Sequence, residues 1–229
     1  MTQTIAWRIF LNNTPFSGIR SSAARLARIA SRIASRAPIG CVLLWLALPV
    51  LVNAQWNPLN PVTDFKKDTT GVTFSMNAGA LRLQVQSDSI VRVTYTRTAT
   101  APAETRQLMV IQQDWPLAPW TLQSTDKDIS ISTARLKVTV ARKDGAILFS
   151  DLTGKKLFQD YDRSLAAVQV NGEKTYHSEM FSNLWDSTEA FYGLGQHQAG
   201  VWNYHGEDME LSQDNTNISI PMFLSSNGY

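Results

Sequence analysis

Residues 81–96 leave little choice of local structure. Leu81, Leu83 and Val85 alternate with Arg82, Gln84 and Gln86. After Ser87-Asp88-Ser89, Val91, Val93 and Tyr95 alternate with Arg92, Thr94 and Thr96. Successive side chains of a strand point to opposite faces, so this pattern is a hairpin with one buried and one wet face. Shorter strands are expected at 107–112, 128–132, 136–141, 146–150, 157–158, 168–171, 174–177 and 217–225. Lys143-Asp144-Gly145, Asp151-Leu152-Thr153-Gly154 and Asn171-Gly172 supply turns between them, because Gly and Asn accept the left-handed backbone that tight hairpins need. No stretch carries apolar residues at i, i+3, i+4 and i+7. The expected fold class is all-β, an antiparallel β-sandwich.

The first 54 residues do not belong to that pattern. They contain Arg8, Arg20, Arg25, Arg28, Arg32 and Arg36 and no acidic residue. An apolar run at 39–52 follows, then Val52-Asn53-Ala54, with small or apolar side chains placed for a cut before Gln55. A basic region, a short apolar core and a small-residue exit read as a secretory signal peptide, here with a long basic n-region. A helix over 39–52 would rise roughly 21 Å, short of a ~30 Å hydrocarbon core, so no stable membrane span is expected. Cys41 does not fit a lipobox, because the apolar run follows it. Adjacent arginines for a twin-arginine signal are absent. An organellar transit peptide shares the Arg-rich, Ser-rich character of 21–37, but the apolar run favours secretion. The expectation is an exported bacterial protein, periplasmic or extracellular.

Removing that leader reverses the charge. The whole chain carries 21 Lys and Arg against 19 Asp and Glu, a formal net charge of +2. All six basic residues of the leader leave together, so 15 basic and 19 acidic residues remain, a net charge of −4. A nucleic-acid surface needs clustered Lys and Arg on the folded part, and none is expected here. Residues 55–229 contain no cysteine, so an exported fold must rest on burial and not on disulfides. Residues 55–70 read as a linker or lead-in and 71–229 as one domain.

The most distinctive stretch is Phe191-Tyr192-Gly193-Leu194-Gly195-Gln196-His197-Gln198. It runs on through Gly200-Val201-Trp202-Asn203-Tyr204 and Leu211-Ser212-Gln213-Asp214-Asn215-Thr216-Asn217. It closes with Ile220-Pro221-Met222-Phe223-Leu224-Ser225-Ser226-Asn227-Gly228-Tyr229. These segments resemble glycoside hydrolase family 31, the α-glucosidase and α-xylosidase family. In that family a Tyr-Gly-Leu-Gly-Glu/Gln element precedes an Asn/Asp-bearing loop and a Pro-led strand ending in Ser-x-x-Gly-Tyr. The resemblance covers 71–229 and is specific from Phe191 onward. It implies a galactose-mutarotase-like sandwich leading into a (β/α)₈ barrel. It also implies retaining hydrolysis of O-glycosyl bonds in an α-linked oligosaccharide, by two carboxylates roughly 5–5.5 Å apart. Both lie on the barrel, so no catalytic residue is assigned in this chain and the fragment alone is expected to be inactive. The barrel, missing here, is the expected partner.

The resemblance further implies that a loop of this domain reaches the rim of the sugar site. Asp214 is the residue best placed for that, with Asn215 beside it. A carboxylate can accept two hydroxyl hydrogen bonds, which suits a neutral polyol; the plain reading is that both residues make Asx turns. Trp202 offers an aromatic face for a sugar ring, or is simply a packing residue. His197 completes the candidate substrate-binding set. Gly193 and Gly195 miss the nucleotide-loop spacing, and His197, His205 and Glu207 miss a helical metal spacing. No cofactor and no metal is expected. Trp115, Trp120 and Trp185 are expected in the core or at a domain junction.

Two other functions remain open on the residues. One is a free-standing carbohydrate-binding sandwich. The other is an aldose epimerase-like enzyme using His197 or His205 with Glu207 for acid–base work. The last turn, Ser226-Asn227-Gly228, has hairpin chemistry and no return strand. A strand left as an unpaired edge argues for a continuation.

Overall fold

A computed structural model describes residues 6–11 (backbone), 59–100, 111–112, 114–183 and 186–229. Among these residues there is no helix. The first strand, β1 (Ala6–Leu11), is followed by a four-stranded antiparallel meander: β2 (Val62–Lys67), β3 (Gly71–Met76), β4 (Ala80–Val85) and β5 (Val91–Thr96), in the order β2-β3-β4-β5. The β4–β5 hairpin takes the register that the alternation requires, with Leu81 opposite Tyr95 and Leu83 opposite Val93. Leu81, Leu83 and Val85 are buried.

β2 lies within the stretch 55–70 expected as a linker or lead-in. β2 pairs along β3, with Val62 opposite Met76 and Phe65 opposite Phe74. Val62 is buried and Phe65 packs against the core. The reason lies across the sheet: β3 is buried at Val72, Phe74 and Met76, and an unpaired edge on so apolar a strand would waste backbone hydrogen bonds.

The second sheet has eight strands. β6 (Thr121–Ser124), β7 (Asp128–Ser132), β8 (Lys137–Ala141), β9 (Ile147–Ser150), β10 (Lys156–Val170) and β11 (Glu173–Asn183) run as a continuous antiparallel series. Beyond β11 lies β1, parallel to it, and then β13 (Asp208–Leu211), antiparallel to β1. Ala6–Leu11 therefore holds a sheet position although it falls in the stretch read as a leader. Ile129, Ile131, Val138, Val140 and Ile147 from this sheet close on Val72, Phe74, Leu81 and Leu83 from the meander. That is the sandwich core. Each such side chain contributes about 1.5–3 kcal/mol on burial.

Two strands are far longer than their sequence pattern. Only 157–158, 168–171 and 174–177 read as strands, yet β10 has 15 residues and β11 has 11. A register shift between Asp160 and Asp162 interrupts β10 and hides its alternation. Asp160 is 7% exposed. Desolvation holds its carboxyl above the ordinary aspartate range even though Arg163 donates to it at 2.8 Å. The same guanidinium donates to the Gly145 carbonyl at 2.8 Å. The tip behaves as read: Asn171 and Gly172 have φ of 51° and 85°, the left-handed pair of a two-residue hairpin turn.

The remaining strands, β12 (Phe191–Gln196) and β14 (Ile218–Ser225), form a separate antiparallel ribbon. β14 is thus paired on one side, where the sequence left it without a partner. The strand expected at 107–112 falls outside the described residues except for 111–112, which are not in a strand. Trp185 also lies outside them. Trp120 packs against the sandwich core, and its indole N–H donates to the Thr69 carbonyl at 3.1 Å.

Candidate functional site

The ribbon begins with a distorted strand. Gly193, Leu194 and Gly195 have φ of 115°, 62° and 99°, and the pairing with β14 shifts register between the two glycines. A Cβ on Gly195 would sit 1.9 Å from the Ile218 carbonyl oxygen, and one on Gly193 would sit 2.6 Å from that of Met222. Only glycine permits this approach. The bulge re-aims one side chain: Leu194 turns inward and is fully buried with Phe191, Leu211, Tyr204 and Met209. The Tyr-Gly-Leu-Gly element is therefore a backbone device.

The bulge also places the loops that follow. The His197 Nε2–H donates to the Leu194 carbonyl at 2.7 Å. The Gln198 N–H donates to Asn217 Oδ1 at 3.2 Å, tying the end of β12 to the loop before β14. In that loop Asp214 Oδ1 accepts from the backbone N–H groups of Thr216 and Asn217, each at 3.0 Å. Oδ2 accepts from Asn217 Nδ2 at 3.3 Å. The Thr216 and Asn217 amides lower the Asp214 pKa below the ordinary aspartate range, so the group is a carboxylate at neutral pH. The Asx turn occupies Oδ1, on which the Thr216 hydroxyl is a third donor at 3.5 Å. Among the described residues Oδ2 has Asn217 Nδ2 alone and keeps one lone-pair direction for a further donor. Gln213 Oε1 accepts from the Ser219 N–H at 3.0 Å, which fixes the other side of the loop. Asn215 is exposed beside it.

Of the four expected rim residues, Asp214, Asn215 and His197 are linked through the Gln198–Asn217 bond. Trp202 is placed differently. It is 82% exposed, and its ring lies 6.4 Å from that of Tyr192, whose cross-strand partner is Leu224 at the far end of β14. The histidines of the epimerase-like reading are engaged separately. His197 is held by Leu194, while the His205 ring stacks on Phe191 at 6.2 Å. Among the described residues, no three His, Cys, Asp or Glu side chains gather as a metal group.

One cluster was not legible beforehand. Glu189 is 3% exposed and accepts a short hydrogen bond from the Ser225 hydroxyl. Ser225 Oγ also accepts from the Asn227 N–H at 2.9 Å. Burial, and then the hydrogen bond to Glu189, raise the Tyr229 pKa well above the ordinary phenol range. Ser225 and Tyr229 are the ends of the Ser-x-x-Gly-Tyr element. The available signal was an acid placed next to an apolar motif, in Glu189-Ala190-Phe191.

Residues 80–229 match the family model described as the glycosyl hydrolase 31 N-terminal galactose mutarotase-like domain. The chain belongs to glycoside hydrolase family 31, through that N-terminal domain. An alpha-xylosidase of Saccharolobus solfataricus is 31% identical over 166 residues, which is 67% of this chain and 22% of that protein. The crystal structure of a family 31 alpha-xylosidase from Xanthomonas citri superposes with a TM-score of 0.60 at 28% identity, over 70% of this chain and 18% of that one. A mutant Flavobacterium johnsoniae family 31 dextranase complexed with isomaltotriose shares the fold at a TM-score of 0.52 and 24% identity, over 73% of this chain and 21% of that one. The chain spans about a fifth of the length of these relatives.

Proposed function

We propose that this chain is the non-catalytic N-terminal domain of a retaining α-glycosidase of the α-xylosidase or α-glucosidase type. In this reading the 213–217 loop forms part of the rim of the sugar site. The observation that carries it is Asp214: an ionised carboxylate, set by two backbone N–H donors in an exposed loop. A preset acceptor binds a sugar hydroxyl without a further ordering cost. The two carboxylates that attack the anomeric carbon and protonate the leaving oxygen are assigned to the polypeptide that follows this region in the relatives.

Kinetics on the product of the gene that carries this chain test the rim role. Asp214→Ala is expected to raise KM about tenfold with kcat within twofold, since about 1.4 kcal/mol of uniform binding is lost. An unchanged KM would remove Asp214 from the rim. If sugar binding instead fails on Trp202→Ala alone, the carbohydrate-binding reading takes its place.

Export by residues 1–54 belongs to the same proposal. Its support is the arginine-rich, acid-free leader and the apolar run. The sheet position of Ala6–Leu11 makes a sharp alternative, because a cleaved leader cannot also serve as a strand of the mature protein. The intact mass of the secreted protein decides: a start at Gln55 supports export with cleavage, and retention of Met1 refutes it.

A further inference from the structure

The turn between β4 and β5 carries a buried amide with unused bonding capacity. Gln86 is 8% exposed, and its backbone N–H donates to the Ile90 carbonyl at 2.9 Å. Among the described residues its side-chain amide has no hydrogen-bond partner, and its polar atoms are not sealed from solvent. Gln86 lines a hollow of about 610 Å³, within the size range of small-molecule sites. A buried polar group without a partner is costly. A ligand in the hollow would supply the partner.

The two walls of the hollow differ. One is the turn itself, polar and fixed. The Ser89 N–H donates to Ser87 Oγ at 3.2 Å, and the Ser89 hydroxyl donates to Asp88 Oδ1 at 2.9 Å. The Thr133 hydroxyl donates to the Asp88 carbonyl at 2.6 Å, which pins the turn to the end of β7. The other wall is apolar and runs from Trp115 to Ala118. Ala118 packs against the sandwich core, while Trp115 is half-buried in the wall. Pro116 and Pro119 fix the backbone of this wall in advance of any ligand. A neighbouring hollow of similar volume shares Leu117 and makes a useful contrast. Its polar groups are already engaged. Asp68 takes Arg82 at 2.8 Å, the Trp120 N–H donates to the Thr69 carbonyl, and the Lys67 ammonium lies 4.4 Å above the Trp120 ring.

We propose that the hollow between the β4–β5 turn and the 115–118 wall binds one unit of a neutral saccharide. The Gln86 amide and the Asp88 carboxylate take its hydroxyls, and the Trp115 side chain takes its apolar face. An amide offers donors and an acceptor together, and a hydroxyl needs both. An aromatic wall suits the C–H face of a sugar ring. Among the described residues of the lining there is no Lys, Arg or His, so an anion has no countercharge there. The site shares no residue with the 213–217 loop, and the inference does not rest on the rim role of Asp214.

The test titrates isomaltotriose, the sugar bound by the dextranase mutant, into the 229-residue chain and follows its NMR signals. Saturable shifts are expected at the Gln86 side-chain amide and the Trp115 indole N–H, with a roughly millimolar dissociation constant and the Leu83 amide unmoved. Asp214→Ala should leave both shifts in place. Gln86→Leu and Trp115→Ala should each weaken binding at least about tenfold. If Gln86→Leu fails to fold, judged by the Leu83 amide, Trp115→Ala and the wild-type titration decide. No shift at either group up to about 50 mM sugar overturns the proposal. Shifts confined to Trp202 and Asn217 also overturn it, by assigning the sugar to the rim alone. Equal shifts with glycerol at the same concentration overturn it as well, by reducing the effect to unspecific polyol contact.

Discussion

The sandwich and the ribbon bury apolar residues by different means. In the sandwich, plain alternation suffices: Leu81 and Leu83 face Ile129, Ile131 and Val140 with the polar residues outside. In the ribbon, Leu194 reaches the core only through three consecutive left-handed residues, and the opposite end is tied by a buried acid. The ribbon is also apolar on its outer face, whereas β4 sets the half-buried polar side chains Arg82 and Gln84 between its buried residues. The recognisable motifs of this chain thus mark departures from regular strand geometry. Regular strands can be built from many sequences; a bulge that needs two glycines cannot.

Substitutions in the two regions should separate them. The largest effect is expected for Phe74→Ala, at the centre of the sandwich. Loss of a fully buried ring should cost about 3–5 kcal/mol, read from urea melts followed by far-UV circular dichroism. A cost below about 1 kcal/mol would mean that the sandwich core is not what holds the fold.

Gly195→Ala comes next. The φ of 99° and the Ile218 oxygen at 1.9 Å leave no room for a methyl group. The backbone strain alone is about 1–3 kcal/mol. Faster amide exchange is expected in β12 and β14, with Leu83 unaffected. Equal loosening at Leu83 would show that sandwich and ribbon unfold as one unit.

Asp68→Asn should cost about 1 kcal/mol. The hydrogen bond from Arg82, foremost, holds the Asp68 carboxyl well below the usual carboxylate range. The pair is partly exposed, so solvent screens most of its Coulomb energy. The folded pKa is depressed, so this stabilisation is complete above the unfolded value near pH ~4 and fades as pH falls below it. The difference between wild type and Asp68→Asn should therefore shrink on acidification from pH 6 to pH 3. A difference that grows instead would reverse the sign of the assignment.

The smallest effect on folding is expected for Asn215→Ala, within about 0.5 kcal/mol of wild type, because the side chain is exposed. A larger loss in thermal melts would make Asn215 part of the loop's framework.

Much of the sandwich was legible from side-chain order. The β4–β5 hairpin and the Asn171-Gly172 turn follow from local rules. Three elements were not legible, each for a tertiary reason. β2 is polar at most of its positions, and its membership depends on what lies across from Val62 and Phe65. β10 carries Asp160, Asp162 and Arg163 in mid-strand, where a bulge and an ion pair accommodate the charges. β12 contains two glycines, which local preference excludes from a strand interior. At the candidate site, Asp214 was legible as a turn-forming acid in a loop. The link from Gln198 to Asn217 was not, because the two residues are 19 positions apart.

By itself, the sequence determined the all-β class, the hairpin register of β4 with β5, and the family resemblance borne by residues 191–229. Those properties depend on the alternation of side chains, on turn chemistry and on a short ordered motif. Tertiary structure decided which strands share a sheet, how β10 passes its charges, and why the motif needs its glycines. Those outcomes depend on contacts between distant residues, such as Gly195 against Ile218 and Glu189 against Ser225. No local rule contains them, since each partner is an ordinary residue until the fold brings the other within reach.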